Sequence, residues 1–98
     1  MTKKSVFSQL SATKHTLKRL GVKRLGLFGS YVRNEENSDS DIDFLVEFLE
    51  GKKNYDNFIH LSFFLEDLLH KKVDLLTDSS LSPYLKSSVM AEIEFIEI

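Results

Sequence analysis

The sequence predicts an α/β (α+β) fold: a small mixed β-sheet with helices packed on it. Three observations carry that prediction. Apolar runs of strand length stand at Val22–Phe28, Asp41–Phe48 and Lys71–Thr77. Between and before them, residues 5–20 and 55–70 place apolar side chains at helical spacing. Glycine or clusters of Asn, Asp and Ser punctuate the junctions. The 98 residues are 42% hydrophobic and 29% charged, a balance expected of one small globular domain, residues 1–98, around one core.

Composition narrows the function classes. Zero cysteines leave neither disulfides nor Cys-based zinc sites. The formal net charge is -2, so no global basic field recruits nucleic acid and no direct nucleic-acid binding is expected. No apolar run approaches the roughly 20 residues of a membrane helix. The opening Met1-Thr-Lys-Lys-Ser-Val-Phe lacks the apolar segment of a signal peptide, so a cytoplasmic location is expected. Charge is unevenly placed. Seven acids and no base lie between Glu35 and Glu50: Glu35, Glu36, Asp39, Asp41, Asp43, Glu47 and Glu50. Such a run taken alone is a solvated face; the arrangement inside it is more specific.

Val6, Leu10, Thr13, Leu17 and Leu20 make the apolar stripe of a first helix over residues 5–20, with Lys14, Lys18 and Arg19 opposite. That basic face is either plain surface or an attraction for phosphates or an acidic partner. His15 has no second ligand at metal spacing and reads as structural, and Gly21 stands where a C-terminal cap belongs. Val22–Phe28 is the first strand. It ends at Gly29-Ser30, which a brief helix should follow. Gly29 would let a phosphate approach the backbone. Ser30 would open the helix, where unpaired N–H groups and the dipole favour an anion; the plainer alternative is an N-cap. Arg33 occupies the place of the acid or amide in a capping box. A cation there opposes the dipole unless an anion sits beside it.

Asn34–Ser40 is a polar loop with turn chemistry at Asn37-Ser-Asp-Ser. In the strand that follows, Ile42, Phe44, Val46 and Phe48 share one face, and Asp41 and Asp43 share the other. The two aspartate Cα atoms should be about 6.5 Å apart, so both carboxylates can lean onto one cation. Without a cation they repel each other, on a strand type that disfavours aspartate; the alternative is two exposed carboxylates at a sheet edge. Gly51–Asn54 is a turn. The helix at 55–70 carries a stripe wider than one face needs, and the surplus around Phe63 or Phe64 is either a partner surface or tight wrapping of a small core. His60 and His70, ten residues apart, are not spaced as ligands and read as structural or surface residues. Lys71–Thr77 is the third strand, with Val73 and Leu75 facing one way and Asp74 and Leu76 the other. If it neighbours the second strand, three carboxylates converge on a patch suited to two Mg2+ ions. Mg2+ takes carboxylates plus substrate phosphates in preference to an all-protein cage. A turn at Asp78–Pro83, a helix over Pro83–Met90 and a short strand within Ile93–Ile98 close the chain.

The pattern Leu-Phe-Gly-Ser-Tyr-Val-Arg … Ser-Asp-Ile-Asp-Phe-Leu-Val, with ten residues between Gly29-Ser30 and Asp41, resembles the DNA polymerase β-type nucleotidyltransferase superfamily. More narrowly it is similar to the minimal nucleotidyltransferases of prokaryotes. The resemblance implies the polymerase β-like fold, ATP as substrate and two Mg2+ ions as cofactor. It implies that Gly29, Ser30 and Arg33 hold the nucleotide, and that Asp41, Asp43 and Asp74 hold the metals and perform the catalysis. Asn34 departs from the glycine common in relatives, but asparagine tolerates positive φ. The resemblance further implies a HEPN-type RNase toxin as partner, with AMP transferred to a tyrosine of that toxin by this chain as its antitoxin. The competing expectation is a non-catalytic antitoxin that neutralises its partner by contact. A homo-oligomer is compatible with either.

Overall fold

A computed structural model describes residues 1–98. The chain forms helices α1 (Lys3–Ala12) and α2 (Lys14–Arg19), strands β1 (Val22–Phe28) and β2 (Ile42–Phe48), helix α3 (Tyr55–Leu69), strand β3 (Val73–Thr77), helix α4 (Pro83–Glu92) and strand β4 (Glu94–Glu97). The strands make one mixed sheet in the order β3-β2-β1-β4. β1 runs antiparallel to both β2 and β4, while β2 and β3 are parallel, joined by the crossover helix α3.

The side-chain period of the strands sorts the sheet into two unlike faces. Leu25 and Leu27 of β1, Ile42, Phe44 and Val46 of β2 and Val73 and Leu75 of β3 point one way. They meet Val6 and Leu10 of α1, Leu17 of α2, and Leu61, Leu65 and Leu69 of α3 in the main core. The opposite face is covered only by α4, whose Val89 packs on Phe28 and Leu45, with Leu76, Leu81, Ile93 and Phe95 around them. Gly26 belongs to this second face. A Cβ there would overlap the Ile93 side chain, so the missing side chain lets the α4–β4 corner sit directly on β1. Asp43 and Asp74 also belong to this face, at its open end.

Three expectations change. The first helix is two, because Thr13 interrupts it: its hydroxyl donates to the carbonyls of Gln9 and Leu10, at 3.2 Å each, and its N–H turns to Leu10 O. α1 also begins earlier, since Thr2 and Ser5 form a reciprocal cap. His15, expected as structural, is solvent-exposed, as are His60 and His70. His70 terminates α3 in the left-handed conformation, with φ 53°. Gly21 has φ +81°, as the cap position requires. Phe63 lies 61% exposed on α3, whereas Phe64 packs against the core.

Candidate active site

The site lies where β1 ends and β2 and β3 begin. Asp43 is the register partner of Phe28 on one side and of Asp74 on the other. In a parallel pair, register partners put their side chains on the same face, so the third aspartate stands beside the second. Asp41 comes one residue before β2. Asp41 and Asp74 are exposed and Asp43 is half-buried between them.

Three contacts set the strand entries. Val73 N–H donates to Glu66 Oε2 of α3 at 3.0 Å. Ile42 N–H donates to Lys72 O at 3.0 Å. Lys71 Nζ donates to Ser38 O at 2.9 Å and ties the loop before Asp41 to β3. In that loop Asp39 N–H donates to Asn37 Oδ1 and Asn37 N–H to Ser40 Oγ, the turn chemistry expected there.

Gly29 is buried with φ +79°, and a Cβ on it would overlap Asp43 Oδ2. The space its missing side chain leaves is thus taken by the Asp43 carboxylate. The brief helix expected is a single 3-10 turn, Gly29–Tyr31, and no side chain caps it, so Ser30 is not an N-cap. The turn goes no further because Asn34 adopts φ 58° and Glu35 N–H returns to Ser30 O at 2.8 Å. A full helix dipole therefore does not face the site. What remains is the glycine–serine backbone itself and the positive φ that asparagine tolerates.

Arg33 is engaged within the protein. Its Nε donates to Glu35 Oε1 at 2.6 Å and its Nη1 to Glu92 Oε1 at 2.9 Å. Glu92 did not emerge from the sequence. Its other oxygen, Oε2, accepts from Gly29 N–H at 2.6 Å. The available signal was electrostatic: Glu92 is the last residue of α4, where the dipole disfavours an anion.

Asp43 registers this crowding. Its pKa is raised from 3.8 to about 6, first by burial, then by Asp74, Asp41 and Glu92, with only Arg33 opposing. No group of three or more acidic or histidine side chains is placed to hold one metal ion, so the expected convergence of three carboxylates is seen only as the register pair Asp43 and Asp74, with Asp41 one residue before β2. That donor set fits Mg2+, which prefers one or two carboxylates completed by water and substrate phosphate. Asp41, Asp43 and Asp74 are the residues that would hold it.

The model of the nucleotidyltransferase domain family matches residues 10–96. This chain belongs to the nucleotidyltransferase domain family. The protein adenylyltransferase MntA of Thermococcus cleftensis is 41% identical over 97 residues, spanning 98% of this chain and 97% of that one. A solved structure described as a "putative minimal nucleotidyltransferase" superposes with a TM-score of 0.82 at 33% identity, covering 96% of this chain and 95% of that one. The fold also recurs at 22% identity and a TM-score of 0.56 in a structure of tri-AMPylated Shewanella oneidensis HEPN toxin in complex with MNT antitoxin, over 87% of this chain and 69% of that one. Nucleotidyl transfer is the chemistry that gives one meaning to a glycine–serine turn against paired strand aspartates. No helix of the chain is long and apolar enough to cross a membrane.

Proposed function

We propose that this nucleotidyltransferase moves AMP from ATP to a tyrosine hydroxyl of a HEPN-type toxin in the cytoplasm and acts as its antitoxin. The observation that carries the reading is the register pairing of Asp43 with Asp74 beside Asp41 and Gly29. Two bound Mg2+ ions would supply Lewis-acid stabilisation of the attacking and leaving oxygens. The chain's own residues do the rest. The acceptor oxygen forms a bond to the α-phosphorus of ATP, and the bond to the pyrophosphate oxygen breaks in line with it. The exposed Asp74 is the base for the hydroxyl proton. Asp41 and Asp43 would hold the metal whose charge offsets that of the triphosphate. The Gly29–Ser30 backbone, the Ser30 hydroxyl and Arg33 donate to phosphate oxygens.

The names borne by the Thermococcus relative and by the Shewanella complex support the acceptor class. The test is incubation with α-labelled ATP, Mg2+ and the toxin, comparing the wild type with Asp41→Ala/Asp43→Ala. Label should appear on the toxin with the wild type alone. Equal labelling by both rejects the catalytic role. Neutralisation that survives the double substitution favours the contact-only antitoxin.

A further inference from the structure

We propose that Glu92 is a built-in stand-in for a substrate phosphate. Its carboxylate occupies the donors a triphosphate needs, and it leaves them when nucleotide binds. This rests on the nucleotide-binding reading of the Gly29–Ser30 turn. Glu92 takes the Gly29 N–H on one oxygen at 2.6 Å and the Arg33 guanidinium on the other at 2.9 Å. A carboxylate bridging a turn amide and an arginine has the charge and acceptor geometry of a phosphate edge. Those donors cannot serve Glu92 and an incoming phosphate at full strength together. Glu92 is also a further negative charge facing Asp43 beside Asp41 and Asp74, so triphosphate arriving with Glu92 still in place meets repulsion.

The backbone makes the exchange a side-chain event. Ile93 N–H closes the end of α4 onto Val89 O at 2.9 Å. The Ile93 side chain fills the space over Gly26. The Glu92 backbone is thus anchored through its neighbour Ile93, while its side chain is 27% exposed and has solvent to rotate into. When it leaves, Arg33 keeps Glu35 on Nε, and its Nη1 is released to a phosphate beside the turn. The device keeps the phosphate seat satisfied without substrate and selects ligands able to outcompete a carboxylate.

Calorimetric titration with AMP-PNP and Mg2+ tests this on the wild type, Glu92→Gln and Glu35→Gln. Both substitutions remove one charge from Arg33, but only Glu92 also holds the Gly29 amide. Glu92→Gln should bind about three- to tenfold tighter, the scale of a charge-assisted hydrogen bond reduced by solvent exposure, and Glu35→Gln should change distinctly less. Equal tightening in the two variants, or unchanged or weaker binding in Glu92→Gln, overturns the proposal. The Gly29 amide resonance supplies a second readout. It should shift on Glu92→Gln without ligand and on AMP-PNP addition to the wild type; a resonance unmoved by AMP-PNP overturns the stand-in role. Absence of AMP-PNP binding by all three proteins overturns the nucleotide-binding reading itself, and the stand-in with it.

Discussion

At the scale of single residues, the half-buried Asp43 carries the strain of the site. Its carboxyl is raised from 3.8 to about 6, so the folded chain binds that proton more tightly than the unfolded chain does. Between these values the native state holds more protons, and this group's contribution to stability falls as pH rises through about 4 to 6. Asp43→Asn should remove that slope and stabilise the metal-free protein at pH 7.5. Discounted for partial exposure, the gain is on the order of 1 kcal/mol, or about 4–8 °C in Tm for a domain this size. Thermal melts at pH 4.5 and 7.5 read it, and an Asp43→Asn protein less stable than wild type at pH 7.5 would count against a charge destabilised by burial and by its acidic neighbours. Gly29→Ala should do the reverse. The φ of +79° costs an L-residue about 1–2 kcal/mol, and the added Cβ displaces the Asp43 carboxylate. Lower Tm and lost AMP transfer together are expected; unchanged transfer would show that Asp43 tolerates the move. The aspartates were legible in the sequence because charge on an apolar strand is anomalous. Glu92 was not, because its meaning lies in a hydrogen bond to Gly29, 63 residues away in sequence. Ser30 was half legible: the bend was visible, but how far the helix ran depended on Asn34 and Glu35 turning back.

At the scale of elements, strand periodicity was enough to divide the faces of β2 and β3, since alternation depends only on local geometry. Their adjacency was not written locally. It follows from α3 crossing over to leave β3 parallel to β2, and Glu66 and Lys71 help to fix it. The division of the first helix at Thr13 was hidden for a related reason, because a threonine on an apolar stripe also has a hydroxyl that competes for the carbonyls of its own turn. The α4–β4 corner matters most for the site, since it delivers Glu92. Gly26→Ala should push Ile93 and Phe95 off β1 and cost about 1–3 kcal/mol by overpacking. Urea unfolding measures that cost. A change under half a kcal/mol would mean that the corner relaxes freely and does not fix the position of Glu92.

At the scale of the molecule, an acidic chain of net charge -2 gathers carboxylates where it is to receive a polyanion. Asp41, Asp74 and Glu92 all act on Asp43 as like charges, with Arg33 as the opposing charge. Removing divalent cations with EDTA should therefore weaken AMP-PNP binding by more than tenfold, since metal is needed to offset like charge. Calorimetry with and without chelator reads this, and equal affinity in both conditions would contradict it. The decisive measurement for the whole account is anomalous scattering from crystals grown with AMP-PNP and Mn2+. The account predicts metal peaks within coordination distance of Asp41, Asp43 and Asp74, with the triphosphate on the Gly29–Ser30 turn. Metal bound away from these carboxylates, or Asp74 turned out of the site with metal present, would contradict it.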